Sequence, residues 1–227
     1  MPTQSYAPTP ALTLAEPRVS AALTRMFEGA ARDDQAAARL PGGRRLDPGS
    51  QSPQERADLA QEIYMPISAD GGKLLYNLIR ATKPTTVVEF GTSYGISTLY
   101  LAAAVRDNGT GQVITTEMSR AKAAAARETF AATGLDDLIT VLEGDALQTL
   151  AALRQPVDFL FLDGWKDLCL PVLRLLEPHI APGTLVVADD VDLPDLGPYL
   201  DYVRDTGNGY HGVTFPVEDG LEISCRL

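Results

Sequence analysis

From Ile67 to the C-terminus short apolar runs alternate with segments of helical periodicity, and that alternation leaves few folds open. The pattern predicts helices over 73–81, 97–106, 120–133, 146–153 and 168–177. Between them it predicts strands over 86–90, 112–117, 139–142, 157–162 and 184–188. Apolar strands separated by helices form a parallel sheet covered on both faces. The end of the chain differs: after a helix over 199–204 come two strands, 212–216 and 221–226, joined by Glu218-Asp219-Gly220, a hairpin signal. The expected fold is therefore α/β: a doubly wound, mostly parallel seven-stranded sheet with a C-terminal antiparallel hairpin.

The segment ahead of the sheet reads differently. Residues 1–10 are rich in Pro, Thr and Ser without apolar periodicity and are expected to be a flexible tail. Val19, Leu23, Met26 and Phe27 recur at helical spacing within 12–40, and Pro41-Gly42-Gly43 ends the pattern. A second helix should start after Ser52, with Pro53 at its first position and Glu55 in its first turn. The organisation expected is a tail (1–10), an N-terminal helical extension or cap (11–64) and a main domain (65–227).

Composition narrows the partners. Nineteen Lys plus Arg against thirty Asp plus Glu leave a net charge of −11, a field that repels nucleic acid and anionic membranes. The one basic cluster, Arg39, Arg44 and Arg45, reads as a solvated loop. Cys169 and Cys225 are too few for a disulfide framework, and no stretch approaches the length of a membrane span or a signal peptide. A cytoplasmic protein is expected.

In open α/β sheets ligands sit beyond the carboxyl ends of the strands. The first strand runs into Gly91-Thr92-Ser93-Tyr94-Gly95, where glycines allow a sharp turn into a helix whose free N–H groups face the same space. The same residues fit G-x-S-x-G, a hydrolase nucleophile elbow, and Ser93, Asp189 and His211 occur in the order such a triad follows. Against that, the chain before residue 86 reads helical and offers no oxyanion segment. The second strand ends at Glu117, near the spacing of a carboxylate that holds ribose hydroxyls, and the third at Gly144-Asp145, where Asp145 could accept from an adenine amino group. No third glycine and no phosphate-loop lysine are present, so a nucleoside ligand without phosphates fits best.

The fourth strand ends in Phe161-Leu162-Asp163-Gly164-Trp165-Lys166-Asp167 and the fifth in Ala188-Asp189-Asp190. Asp163, Asp189 and Asp190 are hard oxygen donors on adjacent strand ends, and such close like charges call for a cation. Magnesium, or another hard divalent ion such as Ca2+ or Mn2+, is the natural candidate, because two histidines and two scattered thiols offer a zinc or copper site almost nothing. Lys166, three residues past Asp163, is placed to act as a general base.

Glu89-Phe90-Gly91-Thr92-Ser93-Tyr94-Gly95-Ile96-Ser97, Glu117-Met118, Phe161 to Asp167 and Asp189-Asp190 together resemble the cation-dependent O-methyltransferases, the family of catechol and caffeoyl-coenzyme A O-methyltransferases. The resemblance runs from about Met65 to the C-terminus. It implies S-adenosylmethionine as cofactor, with Gly91, Ser93 and Ser97 at its methionine end, Glu117 at the ribose, Met118, Asp145, Ala146 and Trp165 around the adenine, and Glu89 and Asp163 also among the residues that bind it. Met65 and Ile67 match the segment that covers the cofactor. It further implies a divalent ion on Asp163, Asp189 and Asp190, Lys166 as base, and a small catechol-like substrate. Bacterial relatives are often homodimers, and some methylate a hydroxyuridine in transfer RNA, which the acidic balance of this chain disfavours. Two departures stand out: the family usually has Asn where Asp190 stands, and a substrate-contacting Glu before the last hairpin falls at Val213 in ungapped register.

Overall fold

The computed structural model describes residues 12–41 and 45–227. The expected tail and Arg44 of the basic cluster lie outside the described residues. Seven strands form one sheet in the order β3-β2-β1-β4-β5-β7-β6. They are β1 (Thr86–Phe90), β2 (Gln112–Glu117), β3 (Ile139–Glu143), β4 (Val157–Leu162), β5 (Ile180–Asp189), β6 (Tyr210–Phe215) and β7 (Leu221–Arg226). The first five are parallel, and β7 runs antiparallel between β5 and β6. Strand order reverses between β1 and β4, so a crevice opens beyond their carboxyl ends.

Period-two alternation sorts the side chains into two cores. Val87, Phe159, Phe161 and Val187 face one apolar cluster with α1 (Pro17–Ala30), α4 (Ala69–Thr82), α5 (Ile96–Asn108) and α6 (Arg120–Thr133). Val88, Leu160, Leu162 and Val186 face the other, under α7 (Ala146–Thr149), α8 (Lys166–Leu176) and α9 (Gly197–Arg204). α1 is thus part of the core: Val19, Ala22 and Met26 are buried there. No helix among the described residues is long and apolar enough to cross a membrane.

β1, β2, β4 and β7 have the expected bounds, while β3 runs one residue further to Glu143, β5 spans Ile180–Asp189 and β6 spans Tyr210–Phe215. Differences concentrate among the helices. The single amphipathic segment expected over 12–40 is a 3-10 turn, Thr13–Ala15, then α1, then a separate α2 (Asp33–Ala37). The break at Arg32 has a physical reason: Asp33 leaves the line of α1 to accept hydrogen bonds from the backbone N–H groups of Tyr64 and Met65, both at 2.8 Å. α3 (Pro53–Leu59) starts as expected, with Ser52 and Glu55 closing a capping box. α8 begins at Lys166, two residues early, which places that lysine in its first turn.

Candidate active site

The turn after β1 is built by left-handed backbone at Gly91 (φ 102°), Ser93 (φ 46°) and Gly95 (φ 95°). At Gly91 the reason is contact, because a Cβ there would lie 2.6 Å from the carbonyl oxygen of Asp163. The glycine turn and the loop after β4 thus meet backbone to backbone. The turn is fastened to β2 by Glu117, which accepts from Ser93 N–H at 2.8 Å and Ser119 N–H at 2.7 Å. The Ser93 hydroxyl donates to the Tyr64 carbonyl at 2.5 Å and accepts from Lys122 Nζ at 3.2 Å. Committed in this way, and with His211 exposed on the edge strand β6, Ser93 belongs to no hydrolase triad.

Glu89 lies beneath the turn, fully buried. Its carboxylate accepts from Ser97 Oγ and Thr115 Oγ1, each at 2.6 Å, and from Thr98. Burial outweighs these donors and pushes its pKa up to about 7. It shapes the site from behind, because Ser97 lines the cavity and Glu89 does not.

Oxygens of Asp163, Asp189 and Asp190 lie within 4.8 Å of one another. Asp190 reaches the cluster through left-handed backbone (φ 61°), with its N–H donating to Asp189 Oδ1 at 2.9 Å. Lys166 Nζ sits between Asp163 Oδ1 and Asp190 Oδ2, 2.9 Å from each. Burial and the neighbouring carboxylates raise the pKa of both Asp163 and Asp189. For Lys166 burial acts downward, but the Asp163 and Asp190 charges win and hold the ammonium well above the ordinary lysine range. The lysine is here the counter-charge of a buried anionic cluster.

Glycine turn, Glu117 and carboxylate cluster open on one cavity of about 520 Å³. Of the residues singled out in the sequence, Met65, Ile67, Gly91, Ser93, Ser97, Glu117, Met118, Ala146, Asp163, Trp165, Lys166, Asp189 and Asp190 all line it. Asp145 does not. Its carboxylate caps α7, accepting from Leu147 N–H at 2.9 Å, and the neighbouring Gly144 and Ala146 face the cavity instead. Val213 is exposed on β6, away from the site.

Sequence reasoning missed three contributors. Arg56 of α3 is buried, makes a two-pronged ion pair with Asp167 at 2.9 and 2.8 Å, and lies 4.7 Å over the Trp165 ring. Tyr64, stacked on Tyr94 at 4.1 Å, joins the cap to the glycine turn. Lys122 stands in the buried stripe of α6, in phase with Ala126 and Phe130. A lysine inside an apolar stripe is a signal that could have been read; nothing local marks Arg56 or Tyr64.

Comparison with known proteins places this geometry. A pattern describing a methyltransferase domain matches residues 88–191. Catechol O-methyltransferase B of Danio rerio is 30% identical over 181 residues, covering 74% of this chain and 67% of that enzyme. The chain is an O-methyltransferase of the catechol O-methyltransferase family. Within that family a probable O-methyltransferase of Mycobacterium tuberculosis is 32% identical over 155 residues, 63% of this chain and 65% of that protein. Bovine catechol O-methyltransferase is 29% identical over 153 residues, and the chain spans only 56% of its length. The fold matches a putative O-methyltransferase from Klebsiella pneumoniae at TM-score 0.67 with 24% identity, covering 89% of this chain and 99% of that one. An O-methyltransferase from Bacillus cereus, solved in complex with SAH, matches at TM-score 0.66 with 20% identity, covering 89% and 100%.

Proposed function

We propose that this O-methyltransferase transfers a methyl group from S-adenosylmethionine to one hydroxyl of a small catechol-like vicinal diol, with a divalent cation held by Asp163, Asp189 and Asp190. The observation that carries this reading is the junction of the two half-sites: a nucleoside-type cradle around Gly91, Ser93 and Glu117 shares one cavity with three clustered carboxylates and a lysine. The cluster fits a hard cation, since its donors are carboxylate oxygens only and, among the described residues, Lys166 is the cation paired with them. The cavity volume lies within the range of small-molecule sites, about 300–1,000 Å³.

Bound there, a divalent cation acidifies a hydroxyl it touches, and S-adenosylmethionine presents its methyl group on a cationic sulfur. The residues of the chain do the rest. Glu117 receives the ribose hydroxyls, Met118 and Trp165 flank the adenine, and Met65 and Ile67 cover the cofactor. Lys166 takes the phenolic proton, as the oxygen–carbon bond forms and the carbon–sulfur bond breaks. It can do so only when the negative charge now holding its own proton is shared with a cation on the same carboxylates. Arg56 and Trp165 line one wall of the cavity, the guanidinium 4.7 Å over the ring, and narrow the access of water to the reacting groups.

Methyl transfer to catechol is the direct test, followed with Mg2+ and with a chelator. Activity that needs Mg2+ and is lost on chelation is the expected result. Methylation that continues undiminished in chelator would rule out the metal-dependent reading while leaving the cofactor site untouched.

A further inference from the structure

Lys122 is a buried cation that the reaction itself does not use. It projects from the first turn of α6 into a buried face shared with Ala123, Ala126, Phe130 and Thr133, where an aliphatic side chain would pack at less cost. Its ammonium has three donors but, among the described residues, one hydrogen-bond partner, the Ser93 hydroxyl at 3.2 Å, and it lies 5.7 Å from the centre of the Tyr94 ring. It lines the cofactor cavity together with Glu117, to which Ser93 is also bonded. A desolvated lysine with so few partners stays in place for its charge.

We propose that Lys122 is a positioning residue of the cofactor site, whose ammonium, held on the Ser93 hydroxyl beside Glu117, keeps that carboxylate ionised inside the cavity. The inference rests on the reading of Glu117 as the acceptor of the ribose hydroxyls. A protonated Glu117 would surrender acceptor capacity just where two ribose donors arrive. Burial drives Glu117 toward the protonated form, and the Lys122 charge is the largest influence opposing it. In return burial pulls Lys122 down to about 8, against the pull of Glu117 at the end of β2 and Asp33 at the start of α2. Tyr94, the remaining titratable group against it, is raised by burial and stays neutral through the same window.

S-adenosylhomocysteine affinity, measured by calorimetry between about pH 5 and pH 9, reads this out. Affinity of the unaltered enzyme should weaken only at the acid end, where Glu117 gains a proton. Because a nearby opposite charge lowers a carboxylate pKa by about 1–3 units, Lys122→Met should move that acid limb up by at least about one unit, and Lys122→Arg should restore it. Above about pH 8 the two curves should converge, because Lys122 then loses its own charge. In a Glu117→Gln background Lys122→Met should leave the pH profile unchanged. Lys122→Gln repeats the experiment if the methionine variant does not fold. An acid limb that stays in place in Lys122→Met, or an equal loss of affinity with and without Glu117, overturns the proposal. Failure of the unaltered enzyme to bind S-adenosylhomocysteine would instead sink the cofactor assignment, and this inference with it.

Discussion

Lys166 and Asp190 carry the sharpest consequences at the scale of single residues. Lys166 bridges two carboxylates, so Lys166→Met removes both the proposed base and the internal counter-charge of the cluster. We expect kcat to fall by about 10²- to 10⁴-fold, the usual contribution of a general base, while calorimetry finds S-adenosylhomocysteine binding retained. Loss of cofactor binding in proportion to kcat would reassign the lysine to structure. Asp190 supplies a third negative charge to the cluster. Asp190→Asn should weaken Mg2+ binding by about tenfold, of the order of one lost charge interaction in a partly buried site, and raise kcat at saturating metal, since a less anionic site leaves the cation a stronger acid catalyst. Titration calorimetry with Mg2+ and rates at saturation check the two halves; no change in either removes Asp190 from the ligand set. Carboxylates at strand ends are legible in a sequence because the sheet fixes where they point. Asp145 was equally visible, yet its oxygens are consumed by the first turn of α7, a local competition that residue type alone does not decide.

Among the elements, α3 is fastened to the main domain by the Arg56–Asp167 ion pair, with the guanidinium also lying over the Trp165 ring. Arg56 joins the cap to the first turn of α8 beside Lys166, across 111 residues of sequence. Removing one partner of a buried pair costs more than the pair is worth, and with Asp167 one-third exposed we expect Arg56→Met to destabilise by about 2 kcal/mol. Hydrogen exchange should localise the loosening to 53–64, with the KM for the acceptor raised more than kcat is lowered. Uniform exchange throughout the chain would place the effect in the global fold instead. The sheet strands and the helices that cover them announce themselves by periodicity, because each is specified by its own buried face. The cap does not: α2 separates from α1 at Arg32, just past a last turn that holds Gly29, where Asp33 reaches backbone groups some thirty residues away. Such contacts are set by tertiary placement and leave no periodic trace.

The whole molecule is acidic and buries further carboxylates in its crevice, which makes its stability depend on pH in a definite sense. Glu89 is raised to about 7, so the folded chain keeps a proton that the unfolded chain releases above the ordinary carboxylate range. Stability from this group is therefore present at lower pH and lost as pH rises toward and through about 7. Asp163 and Asp189 act in the same direction, as does repulsion within a chain of net charge −11. Metal-free protein should melt about 3 °C higher near pH 6 than near pH 8, the size of shift expected for about 1 kcal/mol in a chain of this length. Glu89→Gln, which cannot lose a proton, should flatten the profile; a profile that rises with pH would contradict the assignment.

Gly91 fits against the Asp163 carbonyl with no room for a methyl group, and Asp163 N–H donates to the Phe90 carbonyl at 2.8 Å. Donor and acceptor are in effect clamped in one vice whose jaws are main chain. Neither jaw can open without breaking the sheet between β1 and β4. Any gate for loading cofactor and releasing product must then swing on the opposite side, where the stretch from α3 to Met65 rests on the cavity through side chains. The reach between the two half-sites is thereby set by main chain and stays the same from one cycle to the next.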